Sequence, residues 1–295
     1  MNLIFQNKGY NSPMKKRIFL CAINNVLSGV CNEDCKFCSQ SSKYKTEIDR
    51  YSFKPIEQVV KEAKEAVKNG AIGYCLVTAG KELDDKRVEY ISTATKEIKK
   101  VLPNLMIIGC SGTASSEALM ELKTAGVDSY NHNLETSKEY YPKICSTHSW
   151  EERYQTCQNV KSVGLKLCCG GIFGMGESLE DRESLIKSII SLNPESIPLN
   201  FYIPNPALPI KKRTIDFNGA VEVIKEVKAL ISNKTILMVA GGREAIFRDK
   251  EREMFEAGAN SIVIGNYLTT KGLAPDLDRQ IIKNIGFDVA VGCNE

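Results

Sequence analysis

Four helical stretches of this chain stop at a glycine and are followed within a few residues by an apolar run, at Asn69-Gly70, Ala125-Gly126, Val163-Gly164 and Ala257-Gly258. Glycine adopts the left-handed backbone that closes a helix without a steric cost, so each point reads as helix, turn, strand. Before the first of them, Ile56, Val59, Val60, Ala63 and Val67 share one helical face, and beyond it residues 72–78 read as a buried strand. Along the whole chain this reading predicts strands at residues 17–23, 73–79, 105–111, 127–133, 165–173, 196–203, 235–240 and 261–265. Helices are predicted at 55–68, 85–101, 115–125, 150–163, 179–192, 218–231, 243–257 and 276–285. Ser149 and Glu152 predict a capping box at the start of the fourth helix.

Alternating strands and helices imply a parallel sheet, and eight units of about 35 residues match a closed barrel. The expected fold is α/β, a (β/α)8 TIM-type barrel in a single domain. Residues 1–16 are expected as an N-terminal extension, 17–285 as the barrel and 286–295 as a tail. An open doubly wound sheet is the alternative, because periodicity carries no strand order. Either architecture puts the active site at the C-terminal ends of the strands.

Lys+Arg number 39 against Asp+Glu 36, a net charge of +3, and aromatic residues make up 7%. That gives no basic field and few stacking platforms, so no nucleic-acid partner is expected. No apolar run reaches the about 18 residues of a membrane span, and residues 1–13 lack the apolar segment of a signal peptide. A soluble, cytoplasmic protein is expected, with no membrane association. Eleven cysteines stand beside only two histidines, His132 and His148. A chain of this size needs no disulfides to hold a core together, so the balance points to thiolate chemistry.

After the first strand, in a polar loop, comes Cys31-Asn-Glu-Asp-Cys35-Lys-Phe-Cys38. One folded loop with three thiolates can meet three corners of a four-iron cluster. If no fourth protein ligand follows, one iron stays open, which turns an electron carrier into a Lewis-acidic catalyst. Structural zinc would need a further ligand pair at the right spacing, and none is present. A disulfide would need an oxidising compartment, which nothing here indicates.

The three-then-two spacing of Cys31, Cys35 and Cys38, with aromatic Phe37 before the last, resembles the signature of the radical S-adenosylmethionine superfamily. The segments Cys38-Ser-Gln-Ser-Ser42, Tyr130-Asn-His-Asn-Leu-Glu-Thr136, Cys168-Cys-Gly-Gly-Ile-Phe-Gly-Met-Gly-Glu177, Ser196-Ile-Pro-Leu-Asn200 and Ala257-Gly-Ala-Asn-Ser261 resemble the biotin synthase family over residues 17–285. The resemblance implies that Cys31, Cys35 and Cys38 hold a 4Fe-4S cluster whose open iron binds S-adenosylmethionine. Reductive cleavage would then release a 5′-deoxyadenosyl radical. It implies Phe37, Asn133, Glu135 and Arg153 as cofactor-binding residues, and Asn131 and Asn200 as residues facing the ureido ring of dethiobiotin. The residue chemistry agrees: a carboxylate accepts from a ribose diol, a guanidinium forks onto a carboxylate, and an amide complements a urea. A flavodoxin- or ferredoxin-type electron donor and a homodimer are further implications.

The family usually holds a second, two-iron cluster inside the barrel, on cysteines of the second, third and fifth strands and an arginine of the seventh. Cys75 and Cys168 match two of these positions, but Ile108 stands at the third and Met238 at the arginine. Cys110, two residues beyond Ile108, faces the same way and about 7 Å farther along the strand. The expectation is a different auxiliary cluster on Cys75, Cys110 and Cys168, with a four-iron form open to it. Its fourth ligand is expected to be Cys169, if a bulge at Gly170-Gly171 turns it inward, or alternatively Cys145. Cys21, Cys157 and Cys293 read as structural residues. A sibling radical enzyme, of the hydrogenase-maturation or methylornithine-forming type, is the rival reading. A non-catalytic iron–sulfur protein is a second rival, from a different class.

Overall fold

The computed structural model describes residues 16–292. In chain order the elements are β1 (Arg17–Leu27), α1 (Ile56–Lys68), β2 (Gly73–Thr78), α2 (Asp85–Val101), β3 (Met106–Cys110), α3 (Ser116–Thr124), β4 (Ser129–Asn131), α4 (Trp150–Ser162), β5 (Lys166–Cys168) and β6 (Gly171–Phe173). Then follow α5 (Leu179–Ser191), β7 (Ser196–Phe201), α6 (Phe217–Leu230), β8 (Ile236–Val239), α7 (Arg243–Ile246), α8 (Glu251–Glu256), β9 (Ser261–Ile264), α9 (Pro275–Asn284) and β10 (Asp288–Val289). All pairings between strands are parallel, in the order β1-β2-β3-β4-β5-β7-β8-β9, and β1 pairs β9 to close the ring. This is the expected eight-stranded barrel, and the open sheet is set aside. Gly70, Gly126, Gly164 and Gly258 all have the positive φ that their helix-ending role requires, and Ser149 and Glu152 close the predicted capping box.

Three local departures matter. The predicted helix over 243–257 is two short helices, interrupted at 247–250, where Arg248 has φ 46. The predicted strand over 165–173 is two pieces, β5 and β6, that together occupy one barrel position, since both pair with β7. Across the gap the offset to β7 is unchanged, Cys168 opposite Ser196 and Gly171 opposite Leu199, so no residue has been inserted in this strand. The insertion lies on the other side. Asn131 is opposite Cys168 but Glu135 is opposite Gly171, four residues against three, and Glu135 takes φ 68. The bulge therefore belongs to the end of β4. Third, β10, in the segment expected as a tail, pairs with Arg17 and Ile18 at the start of β1. Cys293 and residues 1–15 lie outside the described residues.

The main core fills the layer between barrel and helices, with Ile18, Leu20, Leu76, Ile107, Leu167, Ile197 and Leu237 buried beneath residues such as Val59, Ile91, Leu119 and Ile224. A separate small cluster fills the barrel itself: Cys21, Cys75, Val77 and Ile108, with Ile23, Cys110 and Met238 packed against them. No helix among the described residues is long and apolar enough to cross a membrane.

Candidate active site

The loop after β1 is folded back over the barrel mouth by its own polar contacts. Gln40 Oε1 accepts from the Gly29 amide at 3.0 Å and from Ser28 Oγ at 3.2 Å, while Asn25 Nδ2 donates to Ser28 Oγ at 3.0 Å and to the Leu268 carbonyl at 3.1 Å. The Cys38 amide donates to the Cys35 carbonyl at 3.0 Å, so the three thiols turn on a tight bend. They line a cavity of about 170 Å³ together with Cys110, Asn131, His132, Asn133, Glu135, His148 and Arg153. Phe37 packs at its edge with Tyr141, Ile144 and Met175.

The β4 bulge places the polar groups of this cavity. Glu135 Oε1 accepts from Arg153 Nη2 at 2.8 Å, and Arg153 Nε donates to the Asn133 carbonyl at 2.8 Å. Asn133 Oδ1 accepts from the Gly170 amide at 3.1 Å, at the gap between β5 and β6. Glu135 Oε2 and His132 Nε2 are buried with no hydrogen-bond partner. Burial holds the His132 ring well below its usual pKa, hence neutral. An orphan carboxylate oxygen beside a cavity is what a hydroxyl-bearing ligand would satisfy. A Cβ on Gly170 would stand 1.8 Å from the Pro198 carbonyl, so only glycine fits there. Asn200 lies in a larger adjoining cavity of about 510 Å³ that also includes Phe37, Asn133 and Glu135. Its amide donates to the Gly171 carbonyl at 3.2 Å and accepts from the Gly241 amide at 2.9 Å.

Below this level, inside the barrel, Cys110 meets Cys75: the hydrogen bond between them, then burial, raises the Cys75 thiol far above its usual range. Burial pushes Cys168 up to about 12. Cys110 thus borders the cavity on one side and the interior thiols on the other. Cys75 and Cys168 are thereby held as thiols in an apolar barrel, with Met238 packed beside the interior cluster, and a metal would reverse this, since coordination removes the proton. The donor set suits iron and sulfide, and the three loop thiols likewise suit a cluster with one open iron.

Two expectations need correction. Cys169 does not turn inward: with no bulge in its own strand, alternation carries it out of the barrel, fully buried, to 3.7 Å from Cys157 Sγ on α4. Cys145 does not join the interior thiols either. It sits in the loop after β4, with its sulfur 3.7 Å from Cys35 Sγ. Sequence reasoning also missed Cys21, which faces into the barrel beside Cys75, and the pair Glu33 and His148, joined at 2.5 Å. Alternation from Cys21 through Ile23 and Asn25 is the signal that could have found the first. The second joins residues 115 positions apart, and nothing local announces it.

Residues 25–189 match the model of the radical SAM superfamily, and residues 198–288 match that of the biotin and thiamin synthesis associated domain. The biotin synthase of a Sulfurovum species is 60% identical over 280 residues, covering 95% of this chain and 98% of that one. That of a Nitratiruptor species is 54% identical over 279 residues, covering 95% and 100%. Among solved structures, the FeFe-hydrogenase maturase HydG from Carboxydothermus hydrogenoformans shares the fold with a TM-score of 0.77 at 18% identity, over 94% of this chain and 69% of that one.

Proposed function

The chain belongs to the radical S-adenosylmethionine superfamily and, within it, to the biotin synthase family, and on that footing we propose that it converts dethiobiotin to biotin with sulfur from an auxiliary iron–sulfur cluster in the barrel. The observation that carries this reading is the convergence of the three loop cysteines, Asn133, Glu135, Arg153 and the inner Cys110 on one cavity. When bound, the loop cluster and S-adenosylmethionine supply hydrogen abstraction, and the auxiliary cluster supplies sulfur. Cys31, Cys35 and Cys38 hold three irons and leave the fourth to the cofactor. Glu135 Oε2, without a partner in the cavity wall, accepts from the ribose hydroxyls. Arg153, half neutralised by Glu135, faces the cofactor carboxylate, and Phe37 keeps water from the rim. Asn131 and Asn200 present amides to the ureido ring.

Cys75, Cys110 and Cys168 are the auxiliary ligands in this reading. Cys21, in the same interior cluster, is the fourth thiol at hand, in place of Cys169 and Cys145. An all-thiolate set without arginine suits a four-iron form. A flavodoxin- or ferredoxin-type protein as electron donor, a homodimer and a cytoplasmic location complete the proposal, by analogy with the family.

Anaerobically reconstituted protein given dethiobiotin, reductant and S-adenosylmethionine is expected to yield biotin. Formation of 5′-deoxyadenosine without biotin would instead mark a sibling radical enzyme. Glu135→Gln is expected to weaken S-adenosylmethionine binding about 10-fold, about 1.4 kcal/mol, because the amide loses the charge that strengthens its hydrogen bonds. Calorimetric titration of the reconstituted protein checks this, and unchanged affinity would remove Glu135 from the cofactor site.

A further inference from the structure

One group of donors joins a thiol of the loop cluster, Cys35, to two residues outside the ligand sets assigned above, Cys145 and His148. Cys145 Sγ lies 3.7 Å from Cys35 Sγ, and 3.3 and 3.9 Å from Nδ1 and Nε2 of His148. Ligand atoms of the three residues all fall within 4.8 Å of one another. Two zinc–sulfur bonds of about 2.3 Å at the tetrahedral angle put their sulfurs about 3.8 Å apart, and a zinc–nitrogen bond of about 2.0 Å puts nitrogen about 3.5 Å from sulfur. The Cys35–Cys145 spacing matches a single ion, and Cys145 Sγ to His148 Nε2, at 3.9 Å, is within about 0.4 Å of the nitrogen–sulfur value. Two thiolates and an imidazole are also the donors that zinc and its neighbours select.

The surroundings hold this group in place without help from an ion. Glu33 Oε2 lies 2.5 Å from His148 Nδ1, the carboxylate–histidine pairing that orients a ligating ring and leaves Nε2 for the metal. Arg153 Nη1 approaches that Nε2 at 3.3 Å, but the guanidinium is anchored on Glu135 and the Asn133 carbonyl, and two thiolates with Glu33 outweigh its charge. Asp34 Oδ1 accepts from the amides of Ser146 and Thr147 at 2.8 and 3.3 Å, and the Lys36 amide donates to the Ile144 carbonyl at 2.8 Å, which ties the cysteine loop to the turn carrying Cys145. Asp34 Oδ1, 3.4 Å from Cys145 Sγ, or a water would take the fourth position.

We propose that the cluster-free protein binds one zinc-class divalent ion through Cys35, Cys145 and His148, and that this ion and the four-iron cluster exclude one another because both require Cys35. The second half rests on the assignment of Cys35 to the cluster; the first half stands on the geometry. Between loss of the cluster and its reassembly, the ion holds the loop against the turn after β4, and iron must displace it.

The test uses the full-length chain, freed of iron under anaerobic conditions and titrated with Co²⁺. The expected result is one equivalent bound, with the visible bands of tetrahedral cobalt and a near-ultraviolet thiolate charge-transfer band, both removed by Zn²⁺. Cys145→Ala is expected to lose the thiolate band and at least about 100-fold in affinity, while Cys31→Ala and Cys38→Ala keep both. Protein preloaded with Zn²⁺ is expected to take up its cluster about 10-fold more slowly, and Cys145→Ala to abolish that delay while reaching the same final cluster content, which also shows that the variant folds. Cobalt bound without a thiolate band, wild-type binding by Cys145→Ala, or equal loss in Cys31→Ala would each overturn the proposal. Absence of biotin formation would strike the functional reading and leave the cobalt result intact.

Discussion

Cys110→Ala is expected to lower biotin formation by at least about 1000-fold, about 4 kcal/mol of transition-state free energy, while reductive cleavage of S-adenosylmethionine continues. The separation follows from where Cys110 sits. It ends β3, contacts Cys75 in the barrel interior, and meets the cavity of the loop cysteines from below. On the proposed ligand assignment, its removal takes a thiol from the interior set and none from Cys31, Cys35 and Cys38. Product analysis should therefore find 5′-deoxyadenosine without biotin, and Mössbauer spectra should lose the auxiliary component while keeping the loop cluster. A two-iron auxiliary signal in the wild type, or a signal unchanged by Cys110→Ala, would sink the variant-cluster reading.

The second large effect concerns stability. Arg243, 1% exposed, opens α7 and pairs at 2.7 Å with Asp278 of α9, also 1% exposed. Glu244 and the Tyr267 hydroxyl, 3.1 Å apart, extend the network to the segment that carries Leu268 over the barrel mouth. Arg243→Ala leaves the Asp278 carboxylate buried without its cation, a loss of about 3–5 kcal/mol. The double replacement Arg243→Met with Asp278→Leu is expected to recover most of it, because the desolvation cost disappears together with the attraction. Urea titrations should show a lower midpoint at unchanged slope for the single variant. A single variant as stable as wild type would mean that the pair does not dock α9.

Much of the site is readable from the chain because its parts are local. Cys31, Cys35 and Cys38 announce a cluster by spacing alone, and Asn133 and Glu135 stand in one motif that the fold brings to the same cavity as Arg153 of α4. The two-residue period of a strand carries Cys110 to the interior face beside Cys75. The same period correctly points Cys169 outward, and it is the bulge assumed in β5 that misleads, because the bulge that re-aims the polar groups lies at the end of β4. Cys145 and His148 meet Cys35 and Glu33 only because two loops from different strands pack over the same mouth.

The amino-acid order by itself determined the repeating helix, turn and strand, the glycines that end the helices and the cysteine triplet, since each depends on neighbours within a turn or two of chain. Only the tertiary structure decided where the bulge lies, hence that Cys169 stays outside the barrel, and which loops touch. Those outcomes depend on barrel closure, on where the register shifts by one residue and on packing between distant segments, and a side-chain period carries no information about any of the three.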